Sequence, residues 1–244
     1  MAQGIVAPQD FVNENSVKIL GGNVKKGDGI FVISDEELTD LSLSEKEYEL
    51  IKPYYTSDEL DKYCTDKKNS YWIIYTNSDF KNIEKIKAYP KIKEHLDKFK
   101  DVITSHNKPY GLHRSREEKF FKNEKILSLR KCKEPTFTFS DFDCYVSQTY
   151  FIIRTERFNL KYLTAYLNSK IIKFWLRFKG KMQGKNYQID KEPLLNIPII
   201  KSEYESNIIQ LFDDILNNEN DINNLFYEIF NLTKKEINMI ESYL

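Results

Sequence analysis

The chain has 244 residues, of which 41% are hydrophobic and 30% are charged, and its formal net charge at pH 7 is zero. This length and composition exclude an intrinsically disordered chain and leave one large folded domain or two small ones. A balanced charge gives no global argument for a polyanionic partner, so any such argument must come from local clusters of charge.

The distribution of apolar residues and cysteines disfavours two further classes of protein. The apolar runs are short, and the N-terminal MAQGIVAPQD lacks the basic and apolar regions of a secretion signal, so we expect a cytoplasmic protein without a membrane span. The three cysteines, Cys64, Cys132 and Cys144, are widely spaced and form no CxxC pair. This spacing argues against a disulfide framework and a zinc site, and it predicts buried free thiols.

The N-terminal third mixes strand and helix patterns. GIFVIS (29–34) and YWIIYT (71–76) are β-branched and aromatic runs that predict strands. Between them, Ser44 and Glu47 have the spacing of a capping box and predict the start of a helix in LSEKEYELI. Pro90 suits the first turn of a second helix, which the apolar spacing extends through KIKEHLDKFKDVI (91–103).

From residue 125 the apolar period changes to two, and then to the helical period. KILSLRK, PTFTFS and YVSQTYFIIRT predict three strands in an antiparallel meander or at a sheet edge. Asn159 is a candidate N-cap for one scaffold helix that continues to Phe178, ends at Gly180 and places Trp175 in the core. The pattern predicts a loop for the following GKMQGKNYQ.

The rest of the chain predicts an extended segment and a helical end. LLNIPII (194–200) has the composition of a short buried strand or extended segment, and its proline favours an edge position. Three helix patterns follow, the last opened by the capping-box spacing of Thr233 and Glu236. The expected fold class is α+β, with an antiparallel or mixed sheet and packed helices. We expect one domain over residues 1–200, made of parts 1–105 and 106–200, with a helical segment 201–244 packed on it.

Signatures of enzymes are missing from the sequence. There is no GxGxxG, GxxxxGK[ST], HExxH or GxSxG motif, and no Asn-Pro-Pro-aromatic tetrapeptide of the kind that holds a flipped base in adenine methyltransferases. The carboxylates Asp101, Glu117 and Glu118 with Lys119 match a metal-nuclease pattern only as loosely as chance allows in so charged a chain. The histidines show no metal-ligand spacing: His95, His106 and His113. We therefore predict that the chain itself is not an enzyme and holds no cofactor or metal.

Two segments in the middle of the chain are strongly basic. Residues 106–133 carry nine Lys or Arg against three Glu, and residues 170–185 carry six Lys or Arg and no acidic residue. Residues 203–244 carry nine acidic residues and two Lys, and this asymmetry indicates a surface that faces a polyanion. The candidate contacts are Arg114, Arg116, Lys119, Arg130, Lys131, Lys179, Lys181, Gln183, Lys185 and Asn186.

The chemistry of these side chains suits DNA without requiring it. A guanidinium group can bind a phosphate or the O6/N7 edge of guanine through two hydrogen bonds, and the amides of Gln183 and Asn186 can bind adenine. The two glycines of GKMQGK allow backbone N–H groups to approach an anion. Composition alone favours the alternative, in which Arg114 pairs with an internal carboxylate, the lysines solvate a surface and the FF pair at 120–121 packs in the core.

Four segments, taken in order, resemble the C-terminal specificity domain of the TaqI type. They are GLHRSREEKFFKNEKILSLR, YVSQTYFIIRT, LKYLTAYLNSKIIKFWLRFKGKMQGKNYQID and LLNIPII. The LNSK helix, the Gly/Lys segment with an aromatic residue before Ile189, and the IPI segment carry most of the resemblance. MAQGIVAPQDFV resembles the entry to such a domain, and NNLFYEIFNLTKKEINMIE resembles its helical end. The type is found in bacterial N6-adenine DNA methyltransferases and in type IIG restriction-modification enzymes.

The resemblance implies a domain that recognises a short sequence of double-stranded DNA. A methyltransferase domain, and in some relatives a nuclease, would perform the chemistry in the same chain or as a separate subunit. S-adenosylmethionine, and Mg²⁺ if the DNA is cleaved, would then belong to that larger enzyme. An alternative remains open, in which the helical tail docks a methyltransferase and no base is read. Carried onto this chain, the candidates for DNA contacts are Arg114, Arg116, Lys181, Gln183, Lys185 and Asn186, which are placed by their chemistry because recognition loops differ among relatives with different targets.

Overall fold

The computed structural model describes residues 1–22, 24–65 and 67–243, with the backbone alone for residues 215–220. The strands, in chain order, are β1 (Ala2–Gln3), β2 (Val32–Ser34), β3 (Ile51–Tyr55), β4 (Tyr71–Ile74), β5 (Lys125–Leu129), β6 (Lys131–Cys132), β7 (Phe137–Ser140), β8 (Tyr145–Val146), β9 (Tyr150–Ile153), β10 (Lys181–Gln183) and β11 (Asn186–Gln188). The helices are α1 (Glu14–Leu20), α2 (Asp35–Asp40), α3 (Glu45–Tyr48), α4 (Ile83–Ile86), α5 (Pro90–Asp97), α6 (Leu160–Asn168), α7 (Lys170–Lys179), α8 (Lys191–Leu195), α9 (Glu205–Asp213), α10 (Ile215–Ile229) and α11 (Lys234–Tyr243). The expected α+β class is confirmed. Within the described residues, no helix has the length and apolar character needed to cross a membrane.

The N-terminal part is built on a mixed sheet with the order β2-β4-β3-β8, in which β8 is parallel to β3. The capping box at Ser44 is confirmed, because Glu47 accepts a hydrogen bond from the Ser44 N–H at 3.0 Å. The other oxygen of this buried carboxylate accepts from the Lys91 N–H at 2.6 Å, so one side chain joins the starts of α3 and α5. The helix that begins at Pro90 ends at Asp97, because turns replace it over the last predicted residues.

A second sheet has the order β1-β9-β5-β7, with antiparallel pairing throughout. Of the two predicted arrangements, the meander is wrong, because β9 pairs with the edge of β5 opposite β7, whereas β7 does lie at the edge of the sheet. The run YVSQTYFIIRT is divided by a turn at Gln148 and Thr149, so its first part, β8, joins the other sheet. Neighbouring residues of this second sheet face two different apolar clusters. Leu127 and Ile152 belong to the first cluster, and Ile126 to the second. The expected limits at residues 105 and 200 stay a prediction.

The single scaffold helix predicted over residues 160–178 is in fact two helices. Asn159 begins α6 as predicted, since its side chain accepts hydrogen bonds from two backbone N–H groups of the first turn. The helix ends at Asn168, whose buried side chain binds both the N–H and the carbonyl oxygen of Phe137, at 3.1 and 2.7 Å. Ser169 then has extended backbone angles and begins α7 as its N-cap. At the far end Phe178 is 53% exposed, so the apolar stripe is not buried along its whole length.

The C-terminal helices complete the second apolar cluster. The predicted capping box is confirmed, since Glu236 accepts from the Thr233 N–H at 2.8 Å and its own N–H donates back to the threonine hydroxyl. Phe226 of α10 is fully buried against the ring of Tyr166 on α6, with centroids 5.1 Å apart. The segment LLNIPII begins inside α8 and continues as extended chain. The hydroxyl of Tyr166 donates to the carbonyl oxygen of Pro198 at 2.5 Å and holds this extended part.

Candidate nucleic-acid interface

GKMQGKNYQ forms a β-hairpin, so the expectation of a loop is wrong. β10 and β11 are antiparallel, with Gln183 opposite Asn186 across a two-residue turn. Gly184 has a φ of +61°, and it is the turn residue with a left-handed backbone, which is the pattern of a type II′ turn. β6 adds a third strand through the pairing of Lys131 with Gln188. The two basic segments of the sequence therefore meet in one small sheet.

The two faces of this sheet have different environments, because side chains alternate along a strand. Met182, Cys132 and the buried Tyr187 face the second apolar cluster. The opposite face consists of Lys131, Lys181, Gln183, Asn186 and Gln188, and it is called the ribbon face below. Four of these five residues are among the candidate contacts, and Gln188 was missed. The two-residue spacing of KxQ and NxQ was the available signal.

The amides of the ribbon face form a chain of hydrogen bonds. Gln183 Nε2 donates to Gln188 Oε1 at 2.5 Å, and Gln188 Nε2 donates to the two carboxylate oxygens of Asp190 at 3.0 and 3.2 Å. Gln183 is exposed, whereas Gln188 and Asp190 are half-buried. This series of hydrogen bonds therefore begins at the half-buried Asp190 and ends at the exposed Gln183.

Two further candidates flank the ribbon face. Lys185 is exposed at the tip of the hairpin turn, beside Gly184. Lys179 is the last residue of α7 and is exposed, but it lines an apolar cavity between α7 and α11 that includes Trp175 and Phe178. Lys185 therefore extends the basic ribbon, and Lys179 lies on a different surface.

Arg114 and Arg116 lie at a groove of about 780 Å³ beside the N-terminal strand, and the structure gives them different environments. Arg114 is exposed and, within the described part of the chain, forms no ion pair. Arg116 donates to the carbonyl oxygen of Gly4 at 3.1 Å and to the side chain of Gln3 at 3.2 Å. Its burial, followed by the nearby charge of Arg114, lowers the pKa of its guanidinium group. Arg116 therefore anchors the start of the chain, and Arg114 is available to a ligand.

Arg130 lies next to the same groove. Its guanidinium group is 5.0 Å from the ring centroid of Phe151, which lines the groove. Its carbonyl oxygen accepts a hydrogen bond from Ile189, the residue after β11, at 2.8 Å. Lys191, two residues further along, also lines the groove and was not among the residues that the sequence singled out. Arg130 and Lys191 therefore add basic side chains at or next to the groove that Arg114 lines.

Lys119 lies apart from this surface. Its ammonium group forms an ion pair with Glu117 at 2.5 Å and lines a second groove, of about 940 Å³. Arg154 and Arg157, which were not among the candidates, line the same groove, and Arg154 donates a hydrogen bond to the carbonyl oxygen of Lys119. Phe121 is fully buried against Tyr145, as the packing alternative expected, whereas Phe120 is half-buried and lines both grooves.

The histidines and carboxylates do not form a metal site in the described residues, where no group of three or more His, Cys, Asp or Glu could hold an ion. His95 is buried with a ring nitrogen 2.9 Å from the carbonyl oxygen of Ile30, and burial lowers its pKa. The rings of His106 and His113 stack at 5.5 Å. Burial would raise the pKa of Glu118, but a hydrogen bond from Tyr145 and the nearby lysines lower it.

The expectation for the thiols is confirmed in part. Cys144 is buried, and burial raises its pKa to about 12. Cys132 is half-buried under the ribbon, and burial raises its pKa to about 11. Cys64 is exposed, so the prediction of a buried thiol is wrong at that position.

Comparison with known proteins points to one family. The family described as "TaqI-like C-terminal specificity domain" matches residues 52–199, which include the ribbon and most of both grooves. The type II methyltransferase M.HindII of Haemophilus influenzae is 25% identical over 231 residues, which are 87% of this chain and 44% of that protein. M.HincII, also of Haemophilus influenzae, is 27% identical over 199 residues, 74% of this chain and 39% of that protein. The chain thus spans less than half the length of these relatives.

The fold is also similar to that of a solved enzyme. The type IIL restriction-modification enzyme MmeI, determined in complex with DNA, matches 90% of this chain and 28% of its own with a TM-score of 0.61. At 15% sequence identity, this similarity concerns the fold alone.

Proposed function

Because the chain belongs to the family of TaqI-like C-terminal specificity domains, we propose that it recognises a specific sequence of double-stranded DNA for a methyltransferase. The ribbon face carries this proposal. It is the exposed face of a hairpin, and the major groove of B-DNA is wide enough for a two-stranded β-ribbon. Gln188 lies at its centre between Lys181 and Lys131, and the amides of Gln183 and Asn186 lie next to the hairpin turn.

The proposed roles follow from the chemistry of the side chains. Lys131, Lys181 and Lys185 are placed to contact phosphates, which position the protein without reading the sequence. Gln183 and Asn186 carry both donors and acceptors and are suited to base edges. Arg114 would extend the phosphate contacts beyond the ribbon, across the groove.

The chemistry itself is assigned to another domain or subunit. That part would bind S-adenosylmethionine and receive the target adenine after it leaves the DNA stack, and a nuclease part would need Mg²⁺. The specificity domain would form one wall of the DNA cleft. We propose no catalytic residue in this chain.

Salt dependence tests the proposal on the chain itself. Binding to a labelled duplex pool is measured by fluorescence anisotropy from about 50 to 200 mM salt, the range over which phosphate contacts change affinity strongly. Combined replacement by Ala of Lys131, Lys181 and Lys185 should reduce the slope of log K against log [salt] by about 0.9 for each phosphate that the variant no longer neutralises.

The matched control removes the same charge from a different surface. Lys81, Lys98 and Lys100 are exposed on the N-terminal part, in segments that do not belong to the small sheet. Their combined replacement by Ala should leave the slope close to that of the wild type. Equal slopes for the two triple variants would mean that only overall charge matters, and no binding by the wild-type chain at low salt would refute the proposal.

One observation favours the alternative of docking through the tail. Phe178, Met239 and Tyr243 are each about half exposed, and the rings of Phe178 and Tyr243 are in contact at 5.2 Å. Docking predicts that Phe178→Ser with Tyr243→Ser abolishes association with a purified methyltransferase partner in the absence of DNA. If association is unaffected while the ribbon variants lose DNA binding, docking through this patch is excluded.

A further inference from the structure

The orientation of one amide on the ribbon face decides which base it can bind. We propose that Asp190, acting through Gln188, fixes the Gln183 amide so that the ribbon face binds adenine in preference to guanine. This inference rests on the proposed function, because it names the base that the ribbon would read.

The orientation begins at Asp190, since an ionised carboxylate can only accept hydrogen bonds. Gln188 must therefore present its NH₂ group to Asp190, at 3.0 and 3.2 Å. The amide group is planar, so its oxygen then faces the opposite way, towards Gln183. Gln183 must donate to that oxygen, at 2.5 Å. Each step fixes the next, and the orientation passes from a carboxylate to an exposed amide.

Gln183 is left with one free N–H and its carbonyl oxygen. Adenine presents an acceptor, N7, beside a donor, N6, in the major groove, and one N–H with one carbonyl oxygen matches this pair. Guanine presents two acceptors, N7 and O6. If the chain of hydrogen bonds ran in the opposite direction, Gln183 would accept from Gln188 and present two N–H groups, which would suit guanine. Asp190 therefore decides between the two purines.

The position of Asp190 makes it a suitable anchor. It is the N-cap residue of α8 and is half-buried, so its backbone is fixed by the start of a helix. Gln188 is paired on both sides, with Lys181 of β10 and Lys131 of β6. Gln183, at the edge of the sheet, is the exposed member of the chain. Asp190 and Gln188 are thus positioning residues, and Gln183 is the group that contacts the base.

Selection of duplexes from a random pool by the full wild-type chain gives the sequence it prefers. Gln183→Ala should relax that preference at one position, which is occupied by adenine. At this position wild type should discriminate adenine from guanine by about five- to 150-fold, the range for one base contact made through two hydrogen bonds. Asp190→Asn should bring the ratio close to one, because an amide can also donate and no longer fixes Gln188. Asp190→Glu keeps the carboxylate and should restore the preference.

A base analogue gives an independent measurement. Replacing that adenine by 7-deazaadenine removes the N7 acceptor. It should weaken wild-type binding and leave the binding of Gln183→Ala unchanged. Both readouts are ratios taken within one variant, so a change in overall affinity caused by the missing charge cancels.

The outcomes separate the two proposals. If the wild-type chain selects a sequence but Gln183→Ala relaxes no position, relaxes a guanine, or Asp190→Asn keeps the adenine preference, the inference is overturned and DNA recognition stands. If the wild-type chain selects no sequence, the inference fails, and the proposed function fails with it when binding also does not depend on Lys131, Lys181 and Lys185.

Discussion

Asn168 joins the scaffold helices to the sheet, and its replacement by Ala should destabilise the protein by about 2 to 4 kcal/mol. The side chain is 5% exposed and Phe137 is fully buried, so water cannot replace the missing bonds. The Phe137 N–H would lose its acceptor, which costs about 1 to 3 kcal/mol for a buried group. The second bond is worth about 1 kcal/mol, since the Phe137 carbonyl oxygen keeps a bond from the Tyr63 N–H at 3.0 Å.

Urea unfolding followed by circular dichroism measures this difference. Asn224→Ala is the matched control, because Asn224 is exposed in the middle of α10 and alanine has the higher helix propensity. The control should be neutral or slightly stabilising. A loss below about 1 kcal/mol for Asn168→Ala, with an unchanged m-value, would refute the reasoning from the two hydrogen bonds.

Asn168→Asp tests the same pair of hydrogen bonds through pH. A protonated carboxyl can replace both bonds, whereas the ionised form cannot donate to the Phe137 carbonyl oxygen. Burial raises the pKa of such a carboxyl above its unfolded value of about 3.9. The free energy of unfolding of the variant, relative to wild type, should therefore be retained at low pH and decline as the pH rises from the unfolded pKa to the folded one. A destabilisation that does not change between pH 4 and 7 would contradict this explanation.

Three further outcomes are expected. Burial lowers the pKa of Lys125 from 10.5 to about 8. Between pH 8 and 10.5 the unfolded chain therefore binds more protons than the folded protein. The free energy of unfolding of wild type relative to Lys125→Met should therefore rise by up to about 3 kcal/mol from pH 8 to 10.5 in urea titrations, and a flat difference would contradict it. Gly184→Ala should cost about 1 to 2 kcal/mol because of its positive φ, and unchanged thermal unfolding would count against the assigned turn. Arg116→Ala should lower the free energy of unfolding in urea, whereas Arg114→Ala should leave it unchanged and reduce the salt slope of DNA binding measured by anisotropy. A stable Arg116→Ala or an unfolded Arg114→Ala would contradict these assignments.

The features that sequence predicted correctly depend on residues close together in the chain. The capping boxes at Ser44 and Thr233 involve a side chain and a backbone N–H three residues away, so their spacing is sufficient evidence. The break between α6 and α7 depends on Asn168 and Phe137, which are 31 residues apart. Apolar periodicity continues across Ser169 and gives no sign of this interaction.

The candidate site was predicted by charge but not by arrangement. Lys131 and Lys181 were both identified, yet only strand pairing brings them onto one face, on either side of Gln188. The glycines of GKMQGK indicated a loop. Each strand of the hairpin has only three residues, which is too short for the alternation of side chains to be recognised in the sequence. Lys191 and Arg154 were missed because each reaches its groove only through the tertiary fold.

The alternation of side chains along the ribbon has a consequence for how such a domain can acquire a new target. Exchange of Gln183 or Asn186 leaves Met182 and Tyr187 in contact with the apolar cluster, so single codon changes can alter recognition while the fold persists. Insertion of one residue would turn every following side chain to the opposite face and expose Tyr187. Specificity at this hairpin can therefore change by substitution, whereas the insertion of a single residue within its strands would disrupt the fold.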